Sequence, residues 1–264
     1  MVLCNIHLIS LREDIPAALF LGKLRWNGIK PIVQARAVRW MILPTQISAG
    51  HLIGRNIRWD LFLILEETDP IPHEAQLDIE AIWSASCGVS SKALAGYAAA
   101  NSKLLYPPPG SVSPPEPHDI EPSNSSQNLE TSLELCEWIA ALPTEIRDRP
   151  VSMLNLLAFN PGKKDLYKKY GEKFTRDVGS RHGGKVKLVG RVAGGPAGDD
   201  GWDEIAFVHY PSVSHFAAMA ASRDYQDANH EYRIPSLKDT LILCVMEVDD
   251  QANIVDPRQT RERL

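Results

Sequence analysis

The sequence predicts an α+β fold in which two βαββαβ lobes pack sheet against sheet to form one barrel within the chain. Three observations support this prediction. The second half of the 264 residues contains a complete run of four strands and the helices between them. The first half repeats that order of elements less clearly. Strands in both halves carry apolar side chains on both faces, whereas the helices can cover only one face of a sheet.

The second half supplies the clearest strands. Each is an apolar or alternating run bounded by turn residues, which is typical of buried or half-buried strands. The predicted strands are residues 150–159, 185–192, 202–210 and 241–248. Their order with the intervening helices is the ferredoxin-like arrangement of an antiparallel sheet with helices on one face.

Two helical regions connect these strands. Residues 163–182 carry Tyr167, Tyr170 and Phe174 at spacings of three and four, which predicts an amphipathic helix. The Gly183–Gly184 pair that follows is suited to a helix end, because glycine accepts positive φ. Ser212 is a candidate N-cap for the second helical region, which continues as a shorter helical piece to about residue 238. GGPAGDDG is predicted to be a turn.

The first half is a weaker version of the same order. The predicted strands are residues 2–11, 29–43, 57–70 and, weakly, 84–91, and the predicted helices are residues 13–26, 74–83 and 93–105. Trp59-Asp60 precedes an apolar run in the first half, as Trp202-Asp203 does in the second. The shared order favours an internal repeat. Two unrelated α+β lobes are the alternative.

Composition then divides the chain. We expect a degenerate ferredoxin-like lobe at 1–105, a linker rich in Pro and Ser at 106–130, a second lobe with a leading helix at 131–249 and a polar, mobile tail at 250–264. The linker is long enough to cross a domain, so the chain can cover its own sheets and exist as a monomeric pseudo-dimer. Whether the full chain assembles further stays open.

Charge and cysteine content exclude several classes of protein. The net charge of −5 argues against a nucleic-acid binder that relies on phosphate attraction. No apolar run has the roughly 18 residues that a membrane span needs, and no secretory signal is evident. The four cysteines are far apart in the sequence, so neither disulfides nor a zinc site are expected. We therefore expect a cytoplasmic protein without a membrane or nucleic-acid partner.

Five separated segments of the second half resemble the DUF1330 group of the dimeric α/β-barrel superfamily. They are VSMLNLLAF, the helix with Tyr167 and Tyr170, HGGKVKLVG, WDEIAFVHYPS and SRDYQDANHEYRIPSLKDTLIL. The whole chain, including LCNIHLISLR, PPPGSV and PVSMLNLLAFNPG, resembles a fungal group of two-lobed proteins. Single-lobe members form the barrel by dimerisation, whereas this chain carries both halves.

The resemblance implies the fold more than the chemistry. The group has no established reaction, and the wider superfamily includes cofactor-independent oxygenases, isomerases, dehydratases and heme-dependent enzymes. The first half lacks the Gly-Gly pair and the Tyr-Gln…Arg segment, so a site there is expected to have decayed. Heme binding stays an alternative, although no histidine lies in a motif that marks an axial ligand.

Seven residues of the second half are candidates for a pocket between its sheet and helices. His209, His230 and Arg233 are proposed as catalytic, because imidazole can transfer protons near neutral pH and arginine can hold an oxyanion. Asn155, Tyr170, Arg191 and Tyr225 are proposed to contact substrate. Each has a structural alternative: a buried amide that braces a loop, a surface histidine, or an arginine paired with Asp203, Glu204 or Asp239.

These candidates favour a small-molecule binding protein or a cofactor-independent enzyme. Its ligand would be an apolar metabolite with one or two oxygens, and its chemistry proton transfer or rearrangement. No nucleotide-binding, serine-hydrolase or metal-protease motif is present, so we expect neither a cofactor nor a metal. The rival interpretation is a non-catalytic interaction module whose barrel is simply filled.

Overall fold

The structure, a computed structural model, describes residues 1–117 and 120–258. The described residues form eight strands. These are β1 (Val2–Leu11), β2 (Val33–Ile42), β3 (Leu61–Glu66), β4 (Ile79–Val89), β5 (Val151–Phe159), β6 (Lys185–Gly194), β7 (Glu204–Tyr210) and β8 (Leu237–Glu247). All neighbouring strands are antiparallel, and they close into a barrel in the order β1-β3-β2-β8-β5-β7-β6-β4.

Helices pack against this barrel. In the first half they are α1 (Ala17–Trp26), α2 (Gly50–Ile53), α3 (His73–Gln76), α4 (Ser91–Ala95) and α5 (Tyr97–Leu105). In the second half they are α6 (Leu133–Ala141), α7 (Thr144–Arg147), α8 (Lys164–Lys173), α9 (Gly179–His182), α10 (Pro196–Asp200), α11 (Val213–Ala220) and α12 (Arg223–Ala228). Two π-helical segments, Phe174–Val178 and Asn229–Arg233, follow α8 and α12, and a 3₁₀ turn at Ile234–Ser236 leads into β8.

The two halves meet along two seams of the barrel. β2 of the first half pairs with β8 of the second, and β4 pairs with β6. The predicted fold class, an α+β intramolecular barrel of two lobes, is therefore confirmed. The seams use the edges of the two sheets, so every strand has two neighbours and no edge is left open to another chain.

Strand alternation divides the apolar residues between the inside and the outside of the barrel. The inside is filled by side chains from both halves, among them Phe62 and Phe207, whose rings stack with centroids 5.4 Å apart. On the outside, α1 covers the first sheet and α8, α11 and α12 cover the second. Each fully buried large side chain contributes roughly 1.5–3 kcal/mol.

One carboxylate joins a loop of the first half to the start of β8. The Asp239 carboxylate accepts hydrogen bonds from the backbone N–H groups of Thr45 at 3.0 Å, Gln46 at 2.6 Å and Ile47 at 2.7 Å. It also accepts one from the N–H of Thr240 at 2.9 Å. Since Asp239 is buried, these donors satisfy a charge that would otherwise be costly to remove from water.

The predicted helix at 74–83 is wrong over most of its length. Helix α3 ends at Gln76, and β4 begins at Ile79. Trp83, Ala85 and Cys87 are buried at every second position, which is the period of a strand. Pairing with β1 along nearly the whole of β4 supplies hydrogen bonds that outweigh local helix propensity. GGPAGDDG was likewise predicted to be a turn, but it contains the short helix α10.

The segments outside the lobes pack more closely than their composition predicts. In the linker region, Gln226 Nε2 donates to the Leu129 carbonyl at 3.0 Å, and in the leading segment Thr131 Oγ1 donates to the Ala217 carbonyl at 3.0 Å. In the predicted mobile tail, Val255 is buried and Asp256 forms an ion pair with Arg149 at 3.0 Å. Residues 118–119 and 259–264 lie outside the described residues, and the domain boundaries themselves stay predictions.

The four cysteines have free thiols, and burial raises the pKa of Cys4 to about 11 and that of Cys244 to about 12. Reduced, protonated thiols of this kind behave as small apolar side chains. Across the described ranges, no helix is both long enough and apolar enough to cross a membrane.

A fragment covering residues 150–249 should dimerise or aggregate, whereas the full chain should not need a partner to cover its sheets. The fragment loses the strands that pair with β8 and β6 and exposes the apolar inner face of its sheet. Sedimentation of both proteins at matched concentrations measures this. A fragment that stays soluble and monomeric at high concentration would contradict the expectation.

Replacing Asp239 by alanine should lower the free energy of unfolding by about 2–4 kcal/mol, because four backbone donors lose a charged acceptor. Urea unfolding followed by fluorescence gives the value. Asp250→Ala is the matched control. Its carboxylate forms an exposed pair with Arg25 at 3.3 Å, so its loss should cost less than about 1 kcal/mol. Equal effects of the two changes would show that Asp239 does not join the halves.

Candidate functional site

A cavity of about 160 Å³ lies between the outer face of the second sheet and the helices that cover it. Its apolar wall is formed by Leu129, Met153, Phe174, Val186, Val189, Ala206, Val208, Phe216 and Ile242. Its polar wall is formed by Asn155, Tyr167, Lys168, Tyr170, Glu204, Tyr210 and Arg233. This cavity lies between the sheet and the helices of the second lobe, the region for which the sequence predicts a ligand site.

Helix α8 brings the aromatic side chains to this cavity. Tyr167, Tyr170 and Phe174 follow one another at helical spacing, so they form one face of the helix. Adjacent rings are in contact, with centroids 5.3 Å apart for Tyr167 and Tyr170 and 6.1 Å apart for Tyr170 and Phe174. The helical region continues through the π-helical segment to α9, and Gly183, whose φ of 73° matches the predicted glycine C-terminus, follows α9.

Arg233 is the most unusual residue of the cavity. It lies at the end of the π-helical segment Asn229–Arg233 and is only 3% exposed. Among the residues that the structure describes, no carboxylate is within ion-pair distance of Arg233, and its buried Nη2 has no hydrogen-bond partner. A guanidinium stays protonated at any ordinary pH, so the second lobe buries a positive charge without a matching anion.

The polar groups that surround the Arg233 charge are tyrosine hydroxyls. Tyr170 Oη donates to Tyr225 Oη at 3.4 Å, and both side chains are buried. Burial raises the pKa of Tyr170 and raises that of Tyr225 well above its usual range. Both hydroxyls therefore stay neutral at physiological pH and can donate hydrogen bonds, but they cannot neutralise Arg233.

Asn155 lines the cavity and also braces the strands beneath it. Its Nδ2 donates to the carbonyl of Met153 at 3.1 Å and to the carbonyl of Ala206 at 3.2 Å. Asn155 therefore lines the cavity, but the groups it braces are the strands β5 and β7 and not a loop. Tyr225 lies behind Tyr170, where the two rings meet edge to face at 6.4 Å.

Four of the seven candidates do not line this cavity: Tyr225, Arg191, His230 and His209. Arg191 is exposed near the far end of β6, where it pairs with Glu204 across the strands. His230 is exposed, with its side chain 59% accessible and Nε2 3.7 Å from Glu130 Oε1. The i, i+3 spacing that would bring His230 beside Arg233 applies to an α-helix, and the wider π-helical turn directs the two side chains apart.

His209 lies on the other side of the sheet. Ala206, Val208 and Tyr210 of β7 face the helices, so His209 faces the inside of the barrel, where it is 2% exposed. Burial, with Lys187 and His215 adding to it, lowers the pKa of His209 to about 3. His209 and Arg233 therefore lie on opposite sides of the sheet. In this arrangement His209 is not placed to transfer a proton to a ligand that Arg233 holds.

Tyr210 and Glu204 are cavity residues that the sequence reasoning missed. Both lie on β7, and Tyr210 faces the cavity because it has the same parity as Ala206 and Val208. Applying strict alternation to the strand would have selected Tyr210 in place of His209. The Glu204 carboxylate is paired with Lys164 at 2.7 Å, so its charge is already balanced.

Within the described part of the chain, no group of three or more His, Cys, Asp or Glu side chains is placed to hold a metal ion. The cavity itself offers an arginine, tyrosine hydroxyls and one amide in a mostly apolar wall. These groups can bind and orient an anionic oxygen, and the tyrosines can donate hydrogen bonds to it.

The stability of the protein should fall as the pH is lowered from about 6.5, where an imidazole of the unfolded chain begins to bind a proton. Burial holds the pKa of His209 at about 3 and that of His7 at about 4, so the folded chain does not bind those protons. Each histidine then contributes a loss of about 1.4 kcal/mol for each pH unit below the unfolded pKa.

Urea unfolding at several pH values between about 5 and 6.5 measures this slope. His209→Gln should reduce it, and His230→Gln, which removes an exposed imidazole, should leave it as it is. Identical slopes for the unaltered chain and His209→Gln would show that His209 is not buried as a neutral group.

No described protein family and no curated protein matches the chain. Among solved structures, it is similar to a protein of unknown function from Rhodopseudomonas palustris, at 27% identity over 44% of this chain and 92% of that chain, with a TM-score of 0.34. It is also similar to a "putative monooxygenase" from Lactobacillus acidophilus, at 7% identity over 97% and 100% of the two chains, with a TM-score of 0.48. A third, a "putative monooxygenase" from Fusobacterium nucleatum, is 9% identical over 92% and 91%, with a TM-score of 0.44. The strand pairing of this chain, independent of these likenesses, assigns its fold.

Proposed function

We propose that the second lobe binds a small apolar metabolite that carries one anionic oxygen group, such as a carboxylate or an enolate. The observation that carries this proposal is the buried charge of Arg233 beside a cavity whose carboxylate, Glu204, is already paired with Lys164. A bound anion would supply the missing partner and convert a costly buried charge into a paired one.

The size of the cavity limits the ligand. An apolar cavity of about 150 Å³ in another protein holds one benzene molecule. The cavity of about 160 Å³ in this lobe therefore fits a ligand with a single ring or a short branched chain. Larger ligands would require α8 or the 129–130 segment to move.

The polar and apolar parts of the wall would contact different ends of the ligand. Arg233, Tyr170 and Tyr210 provide hydrogen-bond donors for an oxygen group, while valine, methionine and phenylalanine side chains surround the remainder. Few polar groups in an otherwise apolar pocket orient a ligand and discriminate against fully hydrated molecules. The expected ligand class is thus aromatic or branched aliphatic acids.

In its catalytic form, the same proposal describes a cofactor-independent enzyme that catalyses proton transfer or rearrangement. Arg233 would hold the developing oxyanion, and a neutral tyrosine in the cavity would serve as the proton donor. The proposed catalytic roles of His209 and His230 require another arrangement, because neither lines the cavity. Binding is therefore the function that the geometry supports best.

The rival interpretation, a module with a filled barrel, is favoured by a different observation. The inside of the barrel is occupied by side chains such as Phe62 and Phe207 and has an apolar core. The cavity with Arg233, however, lies outside the barrel. A filled barrel and a ligand site on its outer face are therefore compatible.

The same proposal extends to the family, the location, the assembly and the partner of the chain. We infer membership of the DUF1330 group for the second half, and of the related two-lobed fungal group for the whole chain, from the sequence segments given above. A cytoplasmic location and a monomeric pseudo-dimer fit free thiols and the two closed seams. The partner we expect is the small ligand alone, without nucleic acid or membrane.

Arg233→Met should weaken the binding of benzoate, a single-ring carboxylate, by at least about tenfold, since a hydrogen-bonded charge contributes about 1.5–3 kcal/mol. The free variant should unfold at the same temperature as the unaltered chain or a higher one, because a buried unpaired charge is removed. Calorimetric titration with benzoate and with uncharged benzyl alcohol, together with thermal unfolding, measures both effects.

Arg176→Met is the matched control, because Arg176 lies on the neighbouring π-helical segment but is exposed and paired with Asp177 at 2.9 Å. It should leave benzoate binding unchanged. A large loss of stability in Arg233→Met would identify Arg233 as a structural brace. Failure of the unaltered chain to bind benzoate in the millimolar range, or equal binding by both variants, would also refute the proposal.

A further inference from the structure

A second recess lies at one end of the barrel, where the proline-rich segment passes over the second lobe. It is a groove of about 300 Å³ between the chain at 103–116 and the elements at 180–185 and 209–218. His209 forms part of its inner wall. This groove opens on the inner side of β7, whereas the cavity with Arg233 lies on the outer side.

The strand register places Ser152 and Lys185 beside His209 at this end of the barrel. Ser152 on β5 and Lys185 on β6 are both direct cross-strand partners of His209. Direct partners project from the same face of a sheet, so all three face the inside of the barrel at its end. His209 is 2% exposed, and its Nδ1 has no hydrogen-bond partner.

A buried ion pair lies behind His209. Lys187 Nζ bonds to Glu247 Oε1 and lies 3.4 Å from Ser152 Oγ. Asn101 Nδ2, from helix α5, donates to Glu247 Oε2 at 2.7 Å. The Tyr97 hydroxyl and the Asn101 Oδ1 are buried without a partner, as is His209 Nδ1. Buried polar atoms in folded proteins are rarely left unsatisfied, so His209 Nδ1, in the wall of the groove, leaves hydrogen-bonding capacity for a bound group.

The charges around the groove favour an anion. Lys103 and Lys185 line it, and among the described residues neither has a carboxylate within ion-pair distance. The acidic side chain of the wall, Glu116, is already 3.4 Å from Arg181 Nε. His209 itself is neutral at physiological pH, because burial and then Lys187 lower its pKa. A neutral imidazole can donate a hydrogen bond without adding charge.

Part of the wall away from His209 is apolar. Leu104, Pro107, Pro211 and Ala218 contribute to this part, and the groove is wider than the cavity with Arg233. A ligand with a charged head and an apolar body would therefore match both parts of the groove.

We propose that this barrel-end groove is a second ligand site, which binds a small molecule through an anionic oxygen group held by His209 and Lys185. The apolar body of the ligand lies against the proline-rich segment. The head group can be a carboxylate of an organic acid or a phosphate, since both present oxygens to the same donors. This site does not depend on the function proposed for Arg233, because a strand of the barrel separates the two.

Calorimetric titrations in an Arg233→Met background test the site without interference from the other cavity. The probes are hexanoate, as an acid with an apolar body, and inorganic phosphate. Lys185→Met should weaken binding of the probe by at least about tenfold, since it removes a charged donor from the anion. Lys238→Met, which removes an exposed lysine of β8 that does not line the groove, should leave binding unchanged.

A second variant, His209→Leu, distinguishes a role of His209 in ligand binding from a purely structural role. It should fold, because it replaces a buried unsatisfied ring by an apolar side chain, and it should abolish binding of the probe. Binding of hexanoate alone assigns the site to organic acids, and binding of phosphate alone assigns it to phosphates. Absence of binding by both probes, or equal binding by the Lys185→Met and Lys238→Met variants, would overturn the proposal.

Discussion

Closure of the barrel is the constraint on which the other features depend. Each lobe forms a four-stranded sheet with two apolar faces, and its helices can cover only one of them. Pairing of β2 with β8 and of β4 with β6 buries the second face of both sheets at once. The stacked rings of Phe62 and Phe207 show that neither lobe completes this interior alone. A single chain thereby covers the second face of both its sheets.

Once the barrel is closed, alternation along each strand decides on which side a residue acts. Two consecutive residues of β7 lie on opposite faces of the sheet: Tyr210 faces the helices and His209 faces the interior. The outer side of the second sheet gains a cavity because helix α8 holds a row of aromatic rings above it. The inner side gains a polar end because Lys187 and Glu247 interrupt an otherwise apolar interior. The two proposed sites are consequences of one sheet having two buried faces.

Both sites contain charge that a purely structural core would avoid. A buried ion pair such as Lys187–Glu247 contributes little net stability, because desolvation offsets most of the attraction. Arg233 is a stronger case, since its charge lacks a partner among the described side chains. The apolar burial of the two lobes is large enough to tolerate such groups. Each of the two proposed ligand sites contains such a group, Arg233 in one and His209 in the other.

The sequence by itself determined the order of elements in the second half, the internal repeat and the meeting of Asn155, Tyr170 and Arg233 at one pocket. Hydrophobic period and turn residues carry that information locally. Only the tertiary structure decided that β4 replaces a predicted helix, because its hydrogen bonds come from the distant strand β1. The side of the sheet taken by His209 and the rotation of His230 away from Arg233 were decided there as well. Strand register set the first direction, through pairing between segments far apart in the chain, and a π-helical turn set the second.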